Sequence, residues 1–520
     1  MRPLPSATRL AFGGVLAVLA LASTNMTIVG TALPRIIAEL DGFGLYAWAF
    51  TAFTLTSTVS LPVYGRLGDR YGRKPILLFG IIVFTLASVA AGFSQTMLQL
   101  VVMRALQGLG GGALMGMTWA VLGDLFTPRE RGAYQGITSG VFGVSSVIGP
   151  LIGGVITDTL GWRWVFFVVV PVAAVSFELV RRYVPHGATD RSGGIDVLGS
   201  VLLIATATPL LVALSLGGAS HAWGSATVLA LFASTVLFGA ILLMHERHAS
   251  NPVIPLALLR QRVIGLTSLG SALVGVGMFV AVFYLPLYVQ GVLGASASAS
   301  GLVLSPLMLG FVAATFLSGA YATRTGRYWW WLIAGATMTA LGYAAATLLL
   351  GPATPPATVI AVSILIGLGL GPLMSLFIVV AQVAAPRAQL GTVTSANQFA
   401  RQMAGTIGVA VAGAIIAAHL QVGLATLPGV ADLGADTRAL VASPNTLTDP
   451  ARLGAARAAL SVDLAPDAVE AVIGAARAAL SSGLSASFAM SGVLALLALA
   501  VTMQLPRVTL PDTHAHDLEE

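Results

Sequence analysis

Apolar residues in this chain fall in long, nearly unbroken runs, separated by short polar breaks rich in arginine. A helix needs roughly 20 predominantly apolar residues to cross the hydrocarbon core of a bilayer. Runs of that order lie at 10–31, 44–64, 76–93, 98–123, 132–157, 164–182, 195–217, 223–244, 263–290, 300–321, 329–350, 357–381, 391–419 and 484–505. The pattern predicts fourteen spanning helices. Gly and Pro inside several runs do not demote them, because packed neighbours satisfy the backbone groups such residues free. The first run follows a short basic stretch and ends at Pro34 and Arg35 without a small-residue cleavage site, which predicts a span and not a removed leader. The long break at 420–483 is Ala-rich. Within it, 451–461 and 467–480 have helical spacing but are too short or too polar to span, so amphipathic helices over the outer face are expected.

Composition sharpens this picture. The 520 residues are 57% hydrophobic and only 9% charged, against about 25% charged in soluble chains. The bilayer must be the solvent. A net charge of +6 suggests nucleic acid at first sight, but the cations sit in short breaks and act as topology signals, so no nucleic-acid partner is expected. With the N-terminus inside, the inner breaks collect Arg9, Arg66, Arg70, Arg73, Lys74, Arg131, Arg181, Arg182, Arg247, Arg260, Arg324 and Arg327, while the short outer breaks hold only Arg35 and Arg163. Both termini are therefore expected in the cytoplasm of a cell carrying this protein in its membrane. There is no cysteine. Neither a phosphate-binding GxxxxGK[ST] loop nor an HExxH helix occurs, and no credible Ser-His-Asp set is present. The GLGGG at 108–112 lies inside an apolar helix with no preceding strand, so it does not bind a dinucleotide. An enzyme, a metal and a cofactor are all unexpected.

The second half echoes the first. GRLGDRYGR at 65–73 faces GAYATRTGR at 319–327, so Gly65, Arg70, Gly72 and Arg73 recur as Gly319, Arg324, Gly326 and Arg327. GLGGGALM at 108–115 faces GLGLGPLM at 367–374, and Pro128 and Arg129 recur as Pro386 and Arg387. The matched breaks share one side of the membrane, which makes this a parallel repeat. The expected organisation is an N-terminal six-helix bundle at 1–183 and a linker with two extra helices at 184–260. A C-terminal six-helix bundle at 261–520 carries the outer loop at 420–483.

Four motifs carry chemistry. In 65–75, Gly65, Gly68 and Gly72 allow a tight turn. Asp69 beside Arg70, Arg73 and Lys74 allows a charge-paired latch, and a carboxylate there also suits the positive end of a facing helix. The loop resembles the signature of the major facilitator superfamily almost residue for residue. In that family it steadies one conformation of the alternating cycle. In RALQGLGGGALMG, Arg104 sits within an apolar run and must face a cavity, a partner or the interface; the resemblance links it to proton exchange. SSVIGPLIGG, with Gly149, Pro150, Gly153 and Gly154, resembles the motif that marks exporters. In NMTIVGTALPRI, Thr27, Ile28, Val29, Ala32, Leu33 and Pro34 match the fourteen-helix drug:proton antiporter branch, but Asn25 stands where that branch has Asp and cannot carry a proton. GGIDVLGS at 193–200, the spacing of Gln398, Arg401 and Gly405, and the extra helix pair point to the same branch.

The resemblance implies the major facilitator fold: an all-α integral membrane protein of two six-helix bundles plus two inserted helices. It also implies proton-coupled export of amphiphilic, drug-like compounds. The proton sites expected are Arg104 with Asp41 and Glu178, although Glu178 is placed to pair with Arg181 and Arg182. The candidate substrate contacts are Asn25, Trp48, Phe53, Tyr284, Tyr288 and Arg401. Two mid-membrane arginines without a mid-membrane carboxylate favour neutral or anionic cargo over dications. Two alternatives remain: a lipid or lipid-precursor flippase of the same fold, for which membrane lipids are the partners, and a non-transporting receptor or scaffold.

Overall fold

A computed structural model describes residues 5–40, 46–185, 196–217, 221–249, 252–254, 256–295, 297–386, 389–425, 434–441, 443–448 and 450–507. The fold is all-α. The first half comprises α1 (Ser6–Leu40), α2 (Tyr46–Tyr71), α3 (Arg73–Gly92), α4 (Met97–Leu125), α5 (Pro128–Thr159), α6 (Trp164–Phe167) and α7 (Val169–Tyr183). A pair, α8 (Val197–Leu216) and α9 (Ala226–Glu246), is followed by the short α10 (Leu256–Leu259). The second half comprises α11 (Arg262–Leu287) with a π-turn at Tyr288–Val292, α12 (Ala297–Thr325), α13 (Trp329–Leu349), α14 (Pro356–Ala384), α15 (Leu390–Ala425), α16 (Ala435–Val441), α17 (Pro444–Thr448), α18 (Pro450–Asp463) and α19 (Pro466–Met503).

Among the described residues, twelve helices are long and apolar enough to cross a membrane. The expected runs at 44–64 and 132–157 fall on α2 and α5, which are long but are not among the twelve. α2 carries Thr51, Thr54, Thr56, Ser57, Thr58 and Ser60 in its middle and Arg66, Asp69 and Arg70 at its end. These polar groups have partners inside the protein: Thr56 donates to Ala105 O at 2.7 Å, and Thr58 to Gln402 Oε1 at 2.9 Å. A helix facing protein on both sides needs no lipid-soluble surface, so its mean hydropathy is low.

The two halves pack as copies. α4 lies on α2 and α3, and α14 lies on α12 and α13. The repeated Gly motifs make these contacts: a Cβ on Gly112 would meet the Ser57 carbonyl of α2 at 2.6 Å, and one on Gly371 would meet the Phe311 carbonyl of α12 at 2.5 Å. Gly72 and Gly326 occupy matching turns with φ of 91° and 69°, a region closed to most side chains. Each half has its own core. Val18, Phe84, Leu114 and Phe126 belong to the first; Val280, Leu307, Tyr343, Phe377 and Phe488 belong to the second. The halves meet along two seams, α2 on α15 and α5 on α12. Since α15 is the counterpart of α5, each half offers the same two helices to the other.

The α8–α9 pair lies beside the first seam: Ala207 and Leu211 of α8 pack with Val59 of α2 and with Phe399 and Met403 of α15. Asp196, from the GGIDVLGS motif, caps α8 through Gly199 N at 2.7 Å and lies 2.8 Å from His245 Nε2 at the end of α9. The 420–483 segment differs from a row of separate surface helices. Residues 467–480 are the first part of α19, and α16–α18 bury Val441, Leu447 and Leu460 in the core of the second half. Apolar positions at helical spacing in 467–480 run without a breaker into the last apolar run, so one helix forms.

Candidate functional site

The 65–75 loop closes one end of the molecule. Asp69, in the last turn of α2, is 1% exposed. Its Oδ1 accepts from Gly391 N at 2.8 Å and its Oδ2 from Thr392 N at 2.6 Å. Those N–H groups belong to the first turn of α15, where the helix has no internal acceptors and its dipole favours negative charge. A residue of the first half thus caps a helix of the second. Arg73 at the start of α3 orients it: Nη2 donates to Asp69 Oδ1 at 3.2 Å, and Nη1 pairs with Asp124 at the end of α4. Gly65 and Gly68 are buried in the same helix end, Gly65 against Ser395 and Gly68 against Met117. Arg70 and Lys74 are half-buried, and Arg70 stacks over Tyr71 at 5.5 Å.

The duplicated loop lacks this device. Thr323 stands at the Asp69 position and donates to Gly319 O of its own helix at 2.8 Å. α5, the helix a second carboxylate would cap, closes its own first turn with Thr127 and Glu130. At that end Arg131 of α5 donates to Phe126 O at 3.1 Å and to Gln382 Oε1 of α14 at 3.4 Å, while Gln382 donates to Thr394 Oγ1 at 3.0 Å. Gln382 was not singled out from the sequence; a glutamine in the apolar stretch of α14 was the signal available.

Deeper in the first half, Arg104 of α4 is fully buried. Nε donates to Ala49 O of α2 at 3.1 Å, and Nη1 donates to Asn25 Oδ1 of α1 at 2.9 Å and to Gln107 Oε1 at 2.6 Å. The guanidinium lies 4.4 Å from the centre of the Phe53 ring, an added cation–π contact. Among the described residues no acidic group is bonded to it. Arg104 Nη2, Asn25 Nδ2 and Gln107 Nε2 are buried without acceptors. Gln107 was also missed from the sequence, although it follows Arg104 by three residues on the same helical face.

The remaining candidates scatter. Trp48 is half-buried on α2, and Phe53 is buried edge-on to Phe84. Tyr284 ties α11 to α15 by donating to Val409 O at 2.7 Å. Tyr288, in the π-turn, is 1% exposed and donates to Gly351 O at 2.7 Å, which seats it in the core of the second half. Arg401 of α15 is half-buried, with Nη1 3.7 Å from Met374 Sδ. Near it on the helix, Asn397 and Gln398 hold buried polar atoms without partners. Glu178 pairs with Arg181 at 2.8 Å and with Arg182 on an exposed face of α7. Asp41 lies outside the described residues. Gly149 and Gly153 are buried on α5, Gly154 has open space around it, and Pro150 falls within the same helix. Along the α5–α12 seam an open apolar groove of about 670 Å³ runs past Ile137, Val141, Ser145, Leu309, Val312 and Phe316, with Ala20 of α1 behind it.

Two duplicated helical bundles of membrane-crossing helices, joined by polar contacts along their seams and holding a buried arginine, are the architecture of a polytopic membrane transporter. The chain belongs to the Major Facilitator Superfamily, whose family model matches residues 15–409. It is 34% identical over 406 residues to the multidrug transporter protein MdtP of Bacillus subtilis (strain 168), covering 78% of this chain and 75% of the relative. It is 33% identical over 413 residues to multidrug resistance protein 3 of the same organism, covering 79% and 80%. The proton:xylose symporter XylE shares the fold, with a TM-score of 0.62 at 13% identity over 99% of this chain and 98% of that one. The protein is a transporter and not an enzyme.

Proposed function

We propose that this protein exports amphiphilic, drug-like compounds across the cell membrane by alternating access, coupled to proton entry. Fourteen spans cross the bilayer, with both termini and the 65–75 loop in the cytoplasm. The bundles at 1–183 and 261–520 rock about the seams, and the inserted pair at 184–260 rides beside one of them. The observation that carries the reading is the Asp69 cap on α15. It joins the bundles only through hydrogen bonds from the ends of two elements, so it forms and breaks as a unit when the cytoplasmic end shuts and opens. The names of the two Bacillus relatives support drug export. Arg104, charged and bonded to no carboxylate among the described residues, supports neutral or anionic cargo over dications.

The test is transport in proteoliposomes under an imposed pH gradient, with an anionic dye, a neutral amphiphile and a dication as cargoes. Gradient-driven movement of the first two, abolished by a protonophore, is expected. Movement indifferent to the gradient overturns antiport, and faster dication movement overturns the cargo preference. A second reading, lipid or lipid-precursor flipping, draws on the groove between α5 and α12, whose apolar walls suit an acyl chain. Head-group accessibility of a fluorescent lipid in the same vesicles separates the two.

A further inference from the structure

We infer that Asn25, Arg104 and Gln107 form a binding site for a small anion or an anionic head group inside the first bundle. The argument is a balance of donors and acceptors. A guanidinium has five N–H bonds and no acceptor. Nε and Nη1 of Arg104 are used by Ala49 O, Asn25 Oδ1 and Gln107 Oε1. Nη2 is not used, nor is Asn25 Nδ2 or Gln107 Nε2. Reversing either amide would turn its NH2 toward the guanidinium, so the present orientations are the ones the cation enforces. Because both amide oxygens are held by Nη1, all three idle nitrogens lie within roughly 5 Å of that atom. Each has two N–H bonds to offer. The cluster spans α1 and α4, touches α2 through Ala49 and Phe53, and is fully buried.

What such a group lacks is an acceptor with negative charge. A carboxylate on α1 would supply it, and Asn25 stands in that place with an amide. The missing charge is therefore brought from outside, either as the carboxylate of an amphiphilic cargo or as a dissolved halide. A cation here meets amide oxygens already turned to Arg104 and is repelled by its charge. This deepens the exporter reading and rests on it for the direction of travel; binding itself does not depend on that reading.

The experiment is thermal unfolding of the purified full-length protein in detergent, titrated with sodium chloride, choline chloride or sodium benzoate. Asn25→Asp places a carboxylate on the atom that already meets Arg104 and makes the group self-sufficient; Gln107→Glu does the same from α4 and serves if the first variant folds poorly. A saturable rise in Tm is expected for the native chain, with the half-saturating concentration raised at least tenfold in either variant. A response to both anions supports a general anion site, chloride alone a halide site, and benzoate alone a cargo head-group site. No saturable response, or an equal response in native and variant chains, overturns the inference. Intact anion stabilisation with no gradient-driven transport overturns the exporter reading alone.

Discussion

Replacing Asp69 with Asn removes a charge while keeping the shape. The carboxylate now accepts from Gly391 N and Thr392 N across the seam and from Arg73 within its own half. Hydrogen bonds to a charged group are worth about 1.5–3 kcal/mol each. The amide keeps one oxygen, so one cross-seam bond survives at about half strength. The other is replaced by an N–H facing an N–H. The net loss is about 3 kcal/mol in favour of the opened end, or about 150-fold in the closed-to-open ratio. A population closed at about 99:1 becomes nearly balanced. The chain has no cysteine, so Tyr71→Cys and Thr325→Cys, both exposed at the ends of α2 and α12, accept spin labels at these two positions alone. Pulsed electron resonance on Asp69→Asn should show a second, longer distance absent from the parent. An unchanged distribution in a variant that folds normally would refute the assignment of the cap as the fastening between bundles.

Other outcomes follow from local geometry. Gly112→Ala drives a methyl into Ser57 and Ser60 of α2 and should cost about 1–3 kcal/mol, whereas Gly154→Ala, with no atom within 4 Å, should be neutral or stabilise by up to about 1 kcal/mol; their Tm values order accordingly. Thr58→Val removes the bond to Gln402 across the first seam and should weaken closure by about 1 kcal/mol, read from the same spin-label pair. Glu39 is held below the usual carboxylate range by its hydrogen bond to Arg163. A lowered folded pKa adds stability above the unfolded value of about 4.3, which is lost as pH falls through the folded one. Glu39→Gln should therefore cost about 1 kcal/mol or less at pH 7, read as a slight drop in Tm, and the difference should shrink as the pH falls below the unfolded value and through the folded one.

The runs and the duplicated motifs make the helical architecture legible, because both rest on local rules: hydrocarbon demands apolar length, and a tight turn demands Gly72 and Gly326. Hydropathy weakens on α2, a helix lying between the halves, since its polar residues answer to Ala105, Gln402 and other interior groups. That a carboxylate in the 65–75 loop meets a helix N-terminus is readable from charge alone; which helix it meets is not, because α15 is more than three hundred residues away. Arg104 announces a partner, but the partnership of Asn25 and Gln107 is set by how α1 and α4 cross. Tyr288 is an aromatic whose place depends on a π-turn two residues after Pro286, a distortion that periodicity does not register.

Duplication gave the two halves equal helices, yet evolution has left the lock on one doorpost. Asp69 fastens the α2–α15 edge with charge, while on the opposite side Thr323 bonds within α12 and an apolar groove runs between α5 and α12. In the rocking cycle proposed above, the Asp69 cap makes the α2–α15 side the leaf that closes with charge. The inserted helices α8 and α9 stand beside the leaf, so any movement there must carry them along.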